Sequence, residues 1–139
     1  MAIRLNTNTT TYMANIFGNL FSGTGGTAGT AGILKVYDGT QPGTGGSTSG
    51  ASNMIIQFSS LSWAVGTNGS CLLSSAVLGT AGMDGTATWA RLSNADGSTY
   101  IIDGNCGTAS TCEFVIDAAE IVQDQVITLS AATFIQPAS

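Results

Sequence analysis

Acid–base and nucleophilic chemistry has few carriers in this chain: of 139 residues, eight are acidic, three are basic and none is histidine. Without an imidazole there is no His-based triad, no imidazole general base and no histidine metal ligand. What remains is carboxylate chemistry. Asp96, Asp103, Glu113, Asp117, Glu120 and Asp124 cluster in sequence, and a glycosidase pair among them would have to converge in a cleft lined by aromatic rings. A chain this short, with two Trp, three Tyr and five Phe, leaves little room for such a cleft, so these carboxylates read as solvated turns and strand ends. The segment Leu92-Ser-Asn-Ala-Asp-Gly puts Asn94, Asp96 and Gly97 on part of a calcium-loop pattern. Its first ligand position is Leu92 and no glutamate closes it, which rules out an EF-hand. No catalytic residue, cofactor-binding residue or metal ligand is assigned, and an enzyme is not expected.

Sulfur and indole chemistry are equally sparse. Cys106 and Cys112 bracket Gly-Thr-Ala-Ser-Thr, a span short enough to close a hairpin loop, and they form a candidate disulfide if the protein reaches an oxidising medium. In a cytoplasm the default is two reduced thiols. Cys71 sits in an apolar run and reads as a small core hydrophobe; with no Cys-x-x-Cys, the three do not suggest a metal site. Trp63 and Trp89 each lie inside strand-like runs. Core packing is the simpler expectation for both, against an exposed platform for stacking sugars.

The elements that must position these groups are mostly strands. Runs with strand character cover 33–38, 53–59, 61–65, 71–78, 85–93, 98–102, 112–117 and 125–136, each ending in turn chemistry. Asp38, Asp84, Asp96 and Asp103 each precede a glycine, and Asn68-Gly69 adds another such pair. Asp-Gly and Asn-Gly tolerate positive φ and favour tight turns, so half of the acidic residues are expected to punctuate turns. Ahead of the strands, Met13, Ile16, Phe17, Leu20 and Phe21 recur at i, i+3, i+4, i+7 and i+8, one stripe of an amphipathic helix over 9–21. Such a stripe packs on its own domain or docks onto a partner. Residues 22–32 and 40–52 are runs of Gly, Thr, Ser and Ala and read as flexible loops; no Gly-Lys-Ser/Thr follows, so neither is a phosphate-binding loop.

These elements predict a mainly β protein: an antiparallel β-sandwich or jelly-roll-like domain with a short N-terminal helix. Residues 1–21 form the arm and helix, and 22–139 one β domain. The net charge of −5, with Arg4, Lys35 and Arg91 as the only cations, speaks against nucleic acid as a partner. No run of about 18 apolar residues exists, so no membrane-spanning helix is expected. Met-Ala-Ile-Arg-Leu-Asn-Thr lacks an apolar h-region, so synthesis in a cytoplasm without a signal peptide is the expectation. Charged residues make up 8% of the chain against about 25% in an ordinary soluble domain. Either hydroxyls and backbone keep the surface wet, or neighbouring chains cover much of it.

The order of features adds a further expectation. An Arg-Leu-Asn-Thr opening leads into the amphipathic helix, then into a strand ending Val36-Tyr37-Asp38-Gly39-Thr40-Gln41-Pro42; later come Gly85-Thr-Ala-Thr-Trp-Ala-Arg-Leu, Asp103-Gly-Asn-Cys-Gly-Thr and a closing β-rich segment through Val126-Ile-Thr-Leu to Gln136-Pro137. This layout resembles a family of small tailed-bacteriophage virion proteins that pair a Tyr-x-Gly-x-Gln-Pro strand end with a later Gly-Thr-Ala-x-Trp-x-Arg strand. The likeness covers nearly the whole chain, but its motifs are short. It implies a β-sandwich structural protein, a capsid decoration or cement protein at the virion surface. Its partners would be the major capsid protein and copies of itself, as a homo-oligomer such as a trimer, and Met13, Ile16, Phe17, Leu20 and Phe21 become candidate assembly contacts. A tail, collar or fibre component is the alternative within the particle, and a small carbohydrate-binding β-module the alternative outside it. No cofactor is implied. The cysteines and the extended Gly/Thr segment depart from the family pattern.

Overall fold

A computed structural model of the chain describes residues 32–42, 53–65, 70–93 and 100–135. The helix expected over 9–21, most of the two Gly/Thr loops, and the Asn68-Gly69 and Asp96-Gly97 pairs lie outside them. Eleven strands are present among the described residues: β1 (Ile33–Tyr37), β2 (Met54–Phe58), β3 (Trp63–Val65), β4 (Ser70–Leu73), β5 (Val77–Thr80), β6 (Gly85–Thr86), β7 (Trp89–Ser93), β8 (Tyr100–Gly107), β9 (Phe114–Ile116), β10 (Glu120–Ile121) and β11 (Val126–Ile135). The protein is mainly β, as its alternating runs predict.

Nine strands join in one curled sheet in the order β2-β1-β7-β8-β9-β11-β4-β3, with β5 also paired to β11, while β6 and β10 pair separately. All pairings are antiparallel except β8 with β9, where Cys106 stands beside Phe114 and Gly107 beside Val115. The sheet is therefore mixed, a departure from the all-antiparallel expectation. The chain leaves β8, makes a short excursion through 108–113 and re-enters next to the strand end it has just left. Two side-chain and backbone contacts hold this return: Asn105 N–H donates to Glu113 Oε2 at 2.7 Å, and Cys112 N–H donates to the Ala109 carbonyl at 3.0 Å.

The single run expected over 71–78 is two strands on one edge of β11. β4 pairs with the far half of that strand, Leu72 opposite Thr133, and β5 with the near half, Leu78 opposite Thr128. The sums of paired residue numbers, 205 and 206, show that one extra residue is accommodated between them. Ser74 and Ser75 absorb it, as a bulge does, and Ser74 N–H turns away to the Ser62 carbonyl at 2.8 Å.

Curling brings β5 against β2. Gly82 N–H donates to the Ile55 carbonyl at 2.9 Å, and a Cβ on Gly79 would lie 2.9 Å from Phe58 Cδ1 and 3.1 Å from the Gln57 carbonyl oxygen. Only glycine permits that approach. The inward-facing residues make one contiguous core, with Leu34, Val36, Phe58, Leu92, Phe114 and Leu129 fully buried. Alternation along each strand delivers them: β1 buries Leu34 and Val36 on one face, β7 buries Ala90 and Leu92 opposite them.

Candidate functional site

The expected turn role of the Asp-Gly pairs holds in part. Asp38 closes the end of β1, accepting from Asn53 N–H at 2.7 Å, and Gly39 takes φ 80°, the left-handed region that glycine enters without steric cost. Asp84 accepts from Gln123 N–H at 2.7 Å, tying the loop after β5 to the turn before β11. Asp103-Gly104, however, is no turn: both residues lie inside β8, with Asp103 opposite Arg91 and Gly104 opposite Ala90. Two of the other carboxylates likewise serve the backbone. Asp117 accepts from Thr128 N–H at 3.0 Å, and Glu113 from Asn105 N–H at 2.7 Å. Among the described residues no three Cys, Asp or Glu side chains converge as a metal-binding group.

The densest constellation of polar and aromatic groups lies on the outer face of β1, β7 and β8. Register places Tyr37, Trp89 and Asn105 in one row, and Lys35, Arg91 and Asp103 in the next. Tyr37 and Trp89 stack with ring centroids 4.4 Å apart and planes 12° from parallel. Arg91 brings its guanidinium carbon within 5.6 Å of the Trp89 ring centre, within cation–π range. It also donates twice to Asp103, from Nε to Oδ1 at 2.7 Å and from Nη2 to Oδ2 at 2.9 Å. The pair is mostly buried, with Arg91 13% and Asp103 6% exposed. Asp103 thus neutralises the guanidinium rather than acting as an acid or base.

The strand end at Tyr37-Asp38-Gly39 and the Thr88-Trp89-Ala90-Arg91 run meet here. Besides the Tyr37–Trp89 stack, Thr88 Oγ1 donates to the Gly39 carbonyl at 2.7 Å and Thr88 N–H to the Tyr37 carbonyl at 3.0 Å. The Tyr-Asp-Gly strand end and the Thr-Trp-Ala-Arg strand form one built unit. What positions them is the β1–β7 pairing, a long-range register that sequence spacing does not announce. Trp63 is a core residue and Trp89 is buried on the outer face, so neither presents an exposed indole for stacking a sugar.

Cys106 and Cys112 stand as free cysteines. Cys106 points into the core. Cys112 Sγ lies 3.3 Å from where a Cβ on Gly107 would stand. Successive residues of a strand use opposite faces, which places that sulfur on the side Cys106 does not use. Burial, with a smaller contribution from the nearby Cys112, pushes the Cys106 thiol from its ordinary 9.0 up to about 12. The folded state therefore holds the Cys106 proton more tightly than the unfolded chain does, and the corresponding stability is fully present below pH 9. It should fall by about 1.4 kcal/mol per pH unit above 9, until the folded thiol itself ionises near 12. Urea melts at pH 8 and pH 10.5 will show this decline, and Cys106→Ala will flatten it. In the native protein at pH 8, iodoacetamide is expected to label Cys112 and spare Cys106, as peptide mass spectrometry would record.

Met13, Ile16, Phe17, Leu20 and Phe21 lie outside the described residues. What spacing did not reveal is a second apolar surface. On β5 and β11, Leu78 and Val126 stand diagonally on the outward face with Thr80 and Thr128 between them, and they are 68% and 58% exposed. Val122 and Met83, also exposed, stand at the same end of the strand pair, where Asp124 N–H donates to the Ala81 carbonyl at 2.9 Å. A single strand pattern cannot distinguish an outward leucine from an inward one until the register is known.

No protein family, curated protein or solved structure matches this chain.

Proposed function

We propose that the protein is a structural component of a tailed-bacteriophage particle that binds the assembled capsid and stabilises it, as a decoration or cement protein does. The observation that carries this reading is the outward face of β5 and β11: Leu78, Val126, Thr80 and Thr128 form an uncharged surface, continued by Val122 and Met83. An exposed apolar patch of this kind suits contact with another protein. Two further features support it. The described carboxylates with resolved hydrogen bonds serve backbone amides or Arg91, and the two segments of the phage resemblance pack on each other.

Mechanistically the action is passive. A protein that binds the assembled shell and not its dissociated subunits raises shell stability by mass action. A cyclic oligomer on a symmetric shell engages several subunits at once and gains avidity without strong individual contacts. The antiparallel sandwich of the sequence expectation is not required for this; a curled sheet with an apolar flank presents the same kind of surface.

The test is binding of purified protein to capsids that lack it. Leu78→Glu with Val126→Glu is expected to reduce bound copies at least tenfold while leaving the protein folded, since both side chains are outward. Undiminished binding by this variant would remove the β5–β11 face from the proposal, and absence of the protein from purified particles would remove the function. Copy number separates the neighbouring possibility: hundreds of copies over the head fit decoration, a dozen or fewer a tail or collar part.

A further inference from the structure

The exposed apolar residues Leu78, Val126 and Val122 have neighbours of a single sign of charge. Three aspartates are fixed beside them through hydrogen bonds to the backbone. Asp117 Oδ1 accepts from Thr128 N–H at 3.0 Å, and Thr128 stands opposite Leu78 in the β5–β11 pair. Asp84 Oδ1 accepts from Gln123 N–H at 2.7 Å, next along the chain from Val122. Asp124 lies between Val122 and Val126, takes φ 68° and donates its N–H to the Ala81 carbonyl at 2.9 Å. All three are exposed. Among the described residues none of them is in an ion pair.

The described cations belong to other strands. Arg91 is held on β7 by Asp103, and Lys35 on β1 pairs with Gln57 of β2. β2 is the strand that approaches β5, with the Gln57 carbonyl oxygen 3.1 Å from a Cβ built on Gly79, so it stands between Lys35 and the flank. An apolar surface bordered by one sign of charge discriminates among partners. Two copies meeting here about a two-fold axis would set the same patch against itself, bringing Asp84, Asp117 and Asp124 of both together without a cation at the border. Like charges juxtaposed in this way oppose association. A different chain that carries Lys or Arg beside apolar side chains meets no such penalty, because its cations pair with carboxylates while its apolar groups cover Leu78 and Val126. Asp84 and Asp117 are already tied to backbone amides, so they have little rotamer freedom left to lose.

We propose that the β5–β11 flank docks a surface of a different protein on which Lys or Arg side chains border apolar ones, and that Asp84, Asp117 and Asp124 keep a second copy of this chain out of that place. The proposal rests on the reading of the flank as the face that meets the shell, and adds the chemistry of what it meets there. Contacts between copies in a cyclic oligomer then belong to another face.

Sedimentation equilibrium of the full chain is the first test, and it needs no partner. The unaltered protein and Leu78→Glu with Val126→Glu should have the same mass; a lower mass for the variant would give the flank to a second copy and overturn the proposal. The second test is binding to capsids that lack the protein, using Asp84→Asn, Asp117→Asn and Asp124→Asn combined. Asparagine keeps an oxygen to accept from the backbone and tolerates the left-handed φ of residue 124, so charge is what changes. Binding should weaken about fivefold at about 0.05 M salt, and the gap from the unaltered protein should close to less than about twofold at about 0.5 M, where screening removes the attraction. Unchanged binding, or an equal loss at both salt concentrations, would overturn the proposal. If Leu78→Glu with Val126→Glu still lowers binding in that case, the flank remains the docking face and only its charge preference is lost. If that variant also binds normally, or the unaltered protein does not bind, the reading of the flank falls together with the proposal.

Discussion

Asp103→Ala is expected to destabilise the protein by about 3–5 kcal/mol, the range for removing one partner of a buried ion pair. Arg91 is only 13% exposed, donates two hydrogen bonds to Asp103, and cannot shed its charge by deprotonation. Deleting the carboxylate leaves a delocalised cation against the Trp89 ring, where cation–π attraction of roughly 1–2 kcal/mol offsets only part of the loss. Replacing both partners together, Arg91→Met with Asp103→Leu, is expected to be close to neutral, because the desolvation cost disappears along with the attraction. Urea unfolding of Arg91→Met, Asp103→Leu and the variant carrying both completes the cycle. A cost below about 1 kcal/mol for Asp103→Ala would mean a pair screened as at a surface.

Phe114→Ala should cost about 3–5 kcal/mol, the usual figure for truncating a buried phenylalanine, and the upper end is expected. Its ring is fully buried and fills room made by small residues. Gly104 sits opposite Ala90, and a Cβ there would come within 3.1 Å of Phe114 Cε2 and 2.9 Å of Glu113 Cβ. Cys106 and Ala132 flank Phe114 in the sheet. A cavity bordered by short side chains and backbone collapses poorly, and the cost of truncation rises with the volume that stays empty. Phe114 also opens β9, the strand whose parallel pairing to β8 rests on a six-residue return. Denaturant unfolding of the variant should show a lower midpoint; a fall in m as well would mean that β9 no longer closes the sheet.

Much of the strand inventory was legible because alternation and turn residues are local signals. Ile33–Tyr37, Met54–Phe58 and Val126–Ile135 lie where their patterns put them. What failed to show was whatever depends on partners distant in sequence. Asp103-Gly104 has the composition of a turn, but Arg91 across the sheet and the ring of Phe114 against Gly104 hold it in a strand. The Ser74–Ser75 interruption is visible only as a one-residue change of register against β11. The parallel β8–β9 pair has no signature at all, since an antiparallel hairpin could carry the same residues. The candidate site divides the same way. Trp89 and Arg91 stood out by type, while their stacking on Tyr37 and pairing to Asp103 required knowing that β1 and β8 flank β7. The outward placement of Leu78 and Val126 likewise followed from register alone.

The position of β11 bears on how the protein comes to be folded. It pairs with β9, β5 and β4, so three otherwise separate pieces of sheet are joined by the last of the described strands. β1 in turn waits for β7, with Tyr37 meeting Trp89. Pairings this far apart in sequence slow folding into the millisecond-to-second range. A chain emerging from the ribosome holds open strand edges at β5 and β9 until Val126–Ile135 arrives, and during that interval another copy can supply the missing strand. The scarcity of charge on this protein makes that interval its main exposure to misassembly, and expression at low temperature and low synthesis rate is the setting in which the curled sheet closes on itself.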